Sequence, residues 1–120
     1  MAASPEEMPP LTPLSMAVLL TLADGELHGY GIIKEVERQT GGWLRPGAGS
    51  LYAALQRMVD DGLIEETAAP ATAVDARRRY FGITPFGVEV ARAEAMRLAE
   101  VVRTAGQKKL LSNLRLAYGR

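Results

Sequence analysis

Between residues 48 and 84 the chain sets out a helix, a short apolar strand, a loop and a second strand entered through three consecutive arginines, Arg77 to Arg79. That order admits few folds. The helix spans about Ala48 to Asp61 and points Leu51, Leu55 and Met58 to one side, with Ala53, Gln56, Arg57 and Asp60 on the other and Ser50 and Tyr52 on the flanks. Gly62 stops it. Leu63 to Thr67 reads as one strand and Arg79 to Ile83 as its partner, while Ala68 to Ala76, poor in bulky residues and containing Pro70, makes the hairpin tip. A helix followed by a hairpin whose return carries Arg77, Arg78 and Arg79 has the layout of a winged helix-turn-helix. One face of the helix can reach base edges, and the arginines bring charge for phosphates or a minor groove.

The rest of the sequence bounds that reading. With 120 residues and 48% hydrophobic content, the chain can bury one modest core and has no room for a second domain. It contains no cysteine, which excludes disulfides, thiol catalysis and cysteine-based metal sites, and His28 is its one histidine. No run approaches the roughly 18 consecutive apolar residues of a membrane helix, and Met1 to Pro10 is acidic and proline-rich where a signal peptide would be basic and then apolar. A cytoplasmic protein with no membrane partner is expected.

Formal net charge is zero, whereas duplex binding usually leaves a basic footprint. The distribution matters more. Residues 1 to 44 carry two basic groups against six acidic ones, a balance of −4; residues 45 to 84 carry five of each; residues 85 to 120 carry seven against three, a balance of +4. A chain polarised in this way can present a local positive face, or pair its acidic end with its basic end within or between subunits.

Residues 1 to 11 form an N-terminal arm, flexible because Pro5, Pro9 and Pro10 oppose a helix. Thr12-Pro13 then supplies a hydroxyl N-cap and a proline at the first helical position. The helix from Pro13 to about Ala23 is apolar nearly all round, through Leu14, Ala17, Val18, Leu19, Leu20 and Leu22, so it must be covered on two sides, by a second subunit or by a long helix of the same chain. A second helix from about His28 to Gln39 turns Gly29, Ile32, Ile33 and Val36 inward and leaves Lys34, Glu35, Glu37 and Arg38 wet. Gly41-Gly42 ends it, and Trp43 to Gly47 turns into the third helix. Thr84-Pro85 repeats the cap-then-proline start and opens a long final helix. Along it Ala91, Ala95, Leu98, Val102 and Ala105 recur at spacings of four and three, a coiled-coil seam of about two heptads. The seam breaks at Gly106 to Lys109, and Leu110, Leu111, Leu114 and Tyr118 resume in another register, which predicts a kink or a change of packing partner. The domain reading is therefore an arm over 1–11, a winged helix-turn-helix over 12–84 and a dimerisation helix over 85–120. The fold class is mainly α with a small β-hairpin.

His28-Gly29-Tyr30, Gly49-Ser50-Leu51-Tyr52, Gly62-Leu63-Ile64 and Arg79-Tyr80-Phe81-Gly82-Ile83-Thr84 with Gly87, in that order over roughly residues 14 to 90, together resemble the PadR family of bacterial transcriptional regulators. The chain departs from the family's pattern at Ala48, where proline is common, at Phe81, where a second tyrosine is common, and at Gly82, where a charged residue is frequent. The resemblance implies a homodimeric winged-helix repressor whose C-terminal helix dimerises, often released from DNA by a small molecule. The single final helix is similar to the subgroup with a short C-terminal region.

Each candidate residue carries two readings. Ser50 and Tyr52 can donate to phosphates at the start of the recognition helix, or serve as a helix-start residue and a half-buried packing residue. Beside Ala53, Gln56 and Arg57 can read adenine or guanine edges, or stay solvated. Arg77, Arg78 and Arg79 can lie on DNA or be a solvated edge. His28 suits a helix cap or a packing role better than a metal, because a site without a second histidine or a cysteine would need carboxylates alone; no metal site and no cofactor is expected. Trp43 can stack a planar effector or plug the junction of the second and third helices, with the plug favoured. Met16, Met96, Leu98 and Val102 can line a pocket for a small hydrophobic or aromatic effector at a dimer interface, methionine adapting to varied shapes, or be plain interface core. Leu14, Val18, Ala91, Ala95, Leu98, Val102, Leu111 and Leu114 are the expected dimerisation residues. The function expected is binding to a pseudo-palindromic DNA operator; the alternative is a winged-helix module that binds protein. No nucleophile-base pair, paired-carboxylate motif or phosphate-cradling glycine loop stands out, so no enzyme is expected.

Overall fold

In the computed structural model, residues 4–73 and 77–111 are described. The first helix, α1 (Pro13–Leu22), starts where Thr12-Pro13 predicts, with the Thr12 side chain accepting from the Ser15 N–H at 3.1 Å. Its own chain covers most of it and leaves Leu20 46% exposed. Helices from before, beside and after the hairpin all pack on it, and Ala17, Val18, Leu19, Thr21 and Leu22 are buried. Val18, expected at a subunit contact, is fully buried in this core and has no surface to offer a partner.

The second helix, α2 (Gly29–Gln39), buries Gly29, Ile32 and Val36. His28 caps it through Nδ1, which accepts from the Gly31 N–H at 3.0 Å. At the other end the Gln39 amide donates to the Ala17 carbonyl at 2.9 Å and to the Thr21 hydroxyl at 3.1 Å, fixing α2 on α1. Gly41 and Gly42 follow with φ of 62° and 82°, a left-handed stop that glycine adopts without strain. The third helix, α3 (Ala48–Asp60), buries Leu51, Ala54, Leu55 and Met58, so the helical wheel drawn from the sequence orients it correctly.

The sheet has one strand more than the sequence predicts. β2 (Ile64–Thr67) and β3 (Tyr80–Ile83) pair antiparallel with Ile64 opposite Ile83 and Thr67 opposite Tyr80, and β1 (Leu27–His28) pairs with the far edge of β3. Two residues are too few to show an alternating pattern, so β1 leaves no signal in the sequence. It places the start of α2 beside the root of the wing hairpin, where His28 lies opposite Tyr80.

The last helix, α4 (Pro85–Gln107), is capped by the Thr84 hydroxyl, which accepts from the Gly87 N–H at 2.9 Å and contacts the Gly62 and Leu63 carbonyls at 2.6 and 3.1 Å. Gly87 lies directly against the Leu63 carbonyl, and Val90 enters the core. The core therefore continues past Thr84 into the first turns of α4. Gly87, Val90, Ala91 and Glu94 form the inward part of one stripe; Leu98, Val101, Val102 and Ala105 continue the same stripe beyond the domain, where Leu98 is 39% exposed and Val101 55%. Of the expected seam, Ala91 is packed on its own core and Ala95 is exposed at the stripe's edge. The helix ends at Gln107 where the sequence predicts an interruption, with Lys109 at φ 63° closing the last turn. Leu111 is half-buried beyond it; Leu114 and Tyr118 lie outside the described residues.

The N-terminal segment differs from the free arm expected. Pro5–Glu7 form one turn of 3-10 helix, the Ser4 N–H donates to the Glu7 carboxylate at 2.8 Å, and Met8 and Leu11 pack on the core beside α4. Prolines oppose a long helix, but they suit the first position of so short a turn.

Candidate nucleic-acid interface

Burial of Leu51, Ala54, Leu55 and Met58 leaves Gly49, Ser50, Tyr52, Ala53, Gln56 and Arg57 on the solvent side of α3. The helix begins at Gly47 with no side-chain cap, so the N–H groups of its first turn face outward beside exposed Ser50. Such a terminus favours an anion. Within the helix the Gln56 amide donates to Asp60 Oδ1 at 3.0 Å, a contact that a base edge would have to displace.

Tyr52 is part anchor and part surface. A Cβ on Gly29 would overlap the Tyr52 hydroxyl and lie 2.6 Å from Cζ, so glycine at the start of α2 is what lets this ring cross from α3. The two sequence motifs that contain these residues meet at that point. On its open side the ring lies 6.0 Å from the Arg79 guanidinium, which also stands 5.3 Å over the Phe81 ring and donates to Glu66 Oε1 at 2.9 Å. The hydrogen bond from Arg79 holds the Glu66 carboxyl below its usual range, and the Glu66 contact raises Arg79 in turn. A lowered carboxyl pKa keeps this pair intact at neutral pH and loses it only as pH falls into and below the carboxylate range.

Arg78 occupies the neighbouring position on the wing. Its guanidinium lies 5.5 Å from the Tyr30 ring, and Nη1 sits 3.2 Å from His28 Nδ1. Lys34, one helical turn after Tyr30, places Nζ 5.4 Å from the same ring. Exposed cation-π contacts of this kind contribute about 0.5 to 1 kcal/mol each. Their greater effect is to fix where the positive charge stands. The resulting surface runs from Lys34 and Tyr30 on α2, through Arg78 and Arg79 at the wing root, to Tyr52 and the open face of α3.

Of the residues that the sequence nominates for this surface, Ser50, Tyr52, Ala53, Gln56, Arg57, Arg77, Arg78 and Arg79 are all exposed. Tyr52 and Arg79 are brought into contact; Gln56 and Arg57 extend the same helix face. The sequence reading overlooked Tyr30 and Lys34 as part of it. Their i, i+4 spacing was the available signal, but only β1 brings the start of α2 to the wing. His28 proves to be both a cap and a ring contact, with its ring edge-on to Tyr80 at 5.4 Å. Among the described residues no group of three or more side chains could hold a metal.

The nominated effector residues do not converge. Trp43 is 74% exposed on the turn between α2 and α3, so the plug expected there is absent; Thr40 closes the junction instead, its hydroxyl donating to the Val36 carbonyl at 2.8 Å and accepting from the Leu44 N–H at 3.1 Å. Met96 is 70% exposed on the side of α4 away from Leu98, and Met16 is half-buried on α1. A groove of about 510 Å³ on α4 is lined by Arg97, Glu100, Val101, Thr104, Ala105, Lys108 and Leu110, none of which belongs to that set. No helix among the described residues is long and apolar enough to cross a membrane.

Comparison with known proteins places this geometry. Residues 18–93 match the Transcriptional regulator PadR-like family. An uncharacterized 37.1 kDa protein in transposon TN4556 of Streptomyces fradiae is 40% identical over 86 residues, covering 72% of this chain. The chain spans only 23% of that relative's length. A PadR family transcription regulator from Clostridium difficile superposes with a TM-score of 0.70 at 21% identity, over 80% of this chain and 97% of the other. A PadR-like transcriptional regulator from Bacillus cereus gives 0.69 at 25%, over 83% and 92%. Bacillus subtilis PadR, solved in complex with operator DNA, gives 0.57 at 22%, over 68% of this chain and 45% of that one. The mainly helical architecture with its small antiparallel sheet is the winged-helix fold of these neighbours.

Proposed function

Because the chain belongs to the PadR-like family of transcriptional regulators, we propose that it binds a pseudo-palindromic DNA operator as a homodimer and acts as a repressor released by a small-molecule effector. The observation that carries the reading is the continuous surface of Lys34, Tyr30, Arg78, Arg79 and Tyr52 beside the open face of α3. Each subunit lays α3 in a major groove, with Gln56 and Arg57 toward base edges and the first-turn N–H groups and Ser50 toward a phosphate. The wing root lies on the flanking backbone or minor groove. Two such units bind together only when their recognition helices stand about one helical turn apart, so an effector that changes the angle between them through α4 controls affinity. The apolar stripe of Leu98, Val101, Val102 and Ala105, left partly exposed by the described residues, supports α4 as the contact between subunits.

Gel-shift titration with genomic fragments over a range of salt concentrations tests the reading. Specific binding whose log affinity falls with log salt by roughly 0.9 per phosphate contact is expected. Salt-insensitive binding, or none, would favour the protein-binding alternative. Two variants locate the contacts. Replacing Arg77 and Arg78 with alanine weakens binding to all sequences alike and flattens the salt dependence, with little change in stability because exposed charges contribute little to folding. Replacing Gln56 and Arg57 with alanine relaxes preference at one or two base pairs, costing about 1 to 3 kcal/mol on the preferred sequence while non-specific binding survives. Unchanged preference in a randomised-site selection would move specificity to DNA shape.

A further inference from the structure

The Arg79 guanidinium at the wing root is already paired with an acid. Arg79 donates to Glu66, an acid that β2 places one strand away, and both side chains are half exposed at 51% and 49%. The Arg79 guanidinium also stands over the Phe81 ring and near the Tyr52 ring at the edge of the recognition helix, contacts that do not involve that acid. Two ring contacts remain to position the arginine when the carboxylate leaves. The carboxylate's principal effect is therefore electrostatic: any phosphate approaching Arg79 meets a partner already bound and a negative charge beside it.

Resting on the DNA-binding reading, we propose that Glu66 is an intramolecular competitor for DNA phosphate, which Arg79 exchanges for the backbone on binding, and that it thereby holds down sequence-independent affinity. The exchange requires only rotation of the half-exposed Glu66 side chain away from Arg79. At a correct operator it is driven by the base contacts of α3 made at the same time; on other DNA no such contacts offset the loss of the ion pair. Discrimination then comes partly from an interaction that opposes the wrong partner.

Glu66→Gln removes the charge and keeps the shape and an acceptor oxygen. Fluorescence anisotropy with an operator duplex and a scrambled duplex, over several salt concentrations, reads the result. The variant is expected to bind scrambled DNA several-fold more tightly than the parent, with a salt slope steeper by about one phosphate contact, while operator affinity rises less, so that the ratio between the two falls. Adding Arg79→Gln to Glu66→Gln should abolish most of that gain. A gain undiminished in the double variant would show a general effect of charge and overturn the exchange. Unchanged or weaker binding by Glu66→Gln alone would also overturn it, since a merely structural Glu66 loosens the wing and lowers affinity. If the parent protein binds neither duplex, it is the DNA-binding reading that fails.

Discussion

Replacing Leu98 and Val102 together with glutamate is expected to leave folded monomers that no longer bind an operator. Leu98 is 39% exposed and Val102 half-buried in the single chain, on the part of α4 that projects past the core residues Val90 and Glu94. Charges there meet water in the monomer and disturb the winged unit little. In a dimer packed along the stripe the same four charges lose water without gaining partners, a cost of several kcal/mol, sufficient to raise the dissociation constant by a hundredfold or more. Sedimentation should find monomers at micromolar concentration with the parent's helix content. Because each half-site contact is weak alone, specific binding should vanish with the dimer. A variant that stays dimeric and keeps its operator would place the subunit contact elsewhere.

Gly87→Ala tests the joint between the wing and α4. Alanine ordinarily favours a helix over glycine by about 1 kcal/mol. Here a Cβ would overlap the Leu63 carbonyl oxygen and come within 2.9 Å of Ile83 Cγ1 and 3.0 Å of the Leu63 carbonyl carbon. The Leu63 carbonyl cannot yield freely, since the Thr84 N–H donates to it at 3.1 Å and the cap of α4 depends on that contact. Overpacking against backbone outweighs the helix preference, for a net loss of about 3 kcal/mol and a fall in melting temperature of roughly 10 °C or more. An unchanged melting temperature would mean that α4 can tilt away from the hairpin at no cost. In the proposed dimer, where α4 joins the subunits, such a tilt would in addition alter the spacing of the recognition helices.

What could be read in the sequence is what is local. Thr12-Pro13 and Thr84-Pro85 announce their helices because a cap is a local interaction, complete within four residues. The sides of α3 follow from periodicity for the same reason. Gly87 appears in the sequence only as part of a family motif; that it touches Leu63 depends on a hairpin closing between them. The pairing of Arg79 with Glu66 likewise requires a strand register, and the meeting of Gly29 with Tyr52 a crossing of two helices. An all-round apolar helix shows that Val18 must be covered without showing by what, and the protein's own core covers it. Of the two readings of Trp43, an effector platform or the favoured plug of the junction, the plug is absent, because Trp43 is exposed and Thr40 closes that turn by hydrogen bonds. The four-three spacing along α4 suggests a single surface, whereas Ala91 packs on the protein's own core and Leu98 is partly exposed among the described residues.

The most direct test is to select DNA bound by the protein from genomic fragments and sequence it. The account predicts enrichment of a sequence with two inverted half-sites whose centres lie about 10 base pairs apart, lost on replacing Leu98 and Val102 with glutamate and altered at one or two positions per half-site on replacing Gln56 and Arg57 with alanine. Fragments recovered without a shared sequence, or a shared sequence unaffected by both variants, would contradict it.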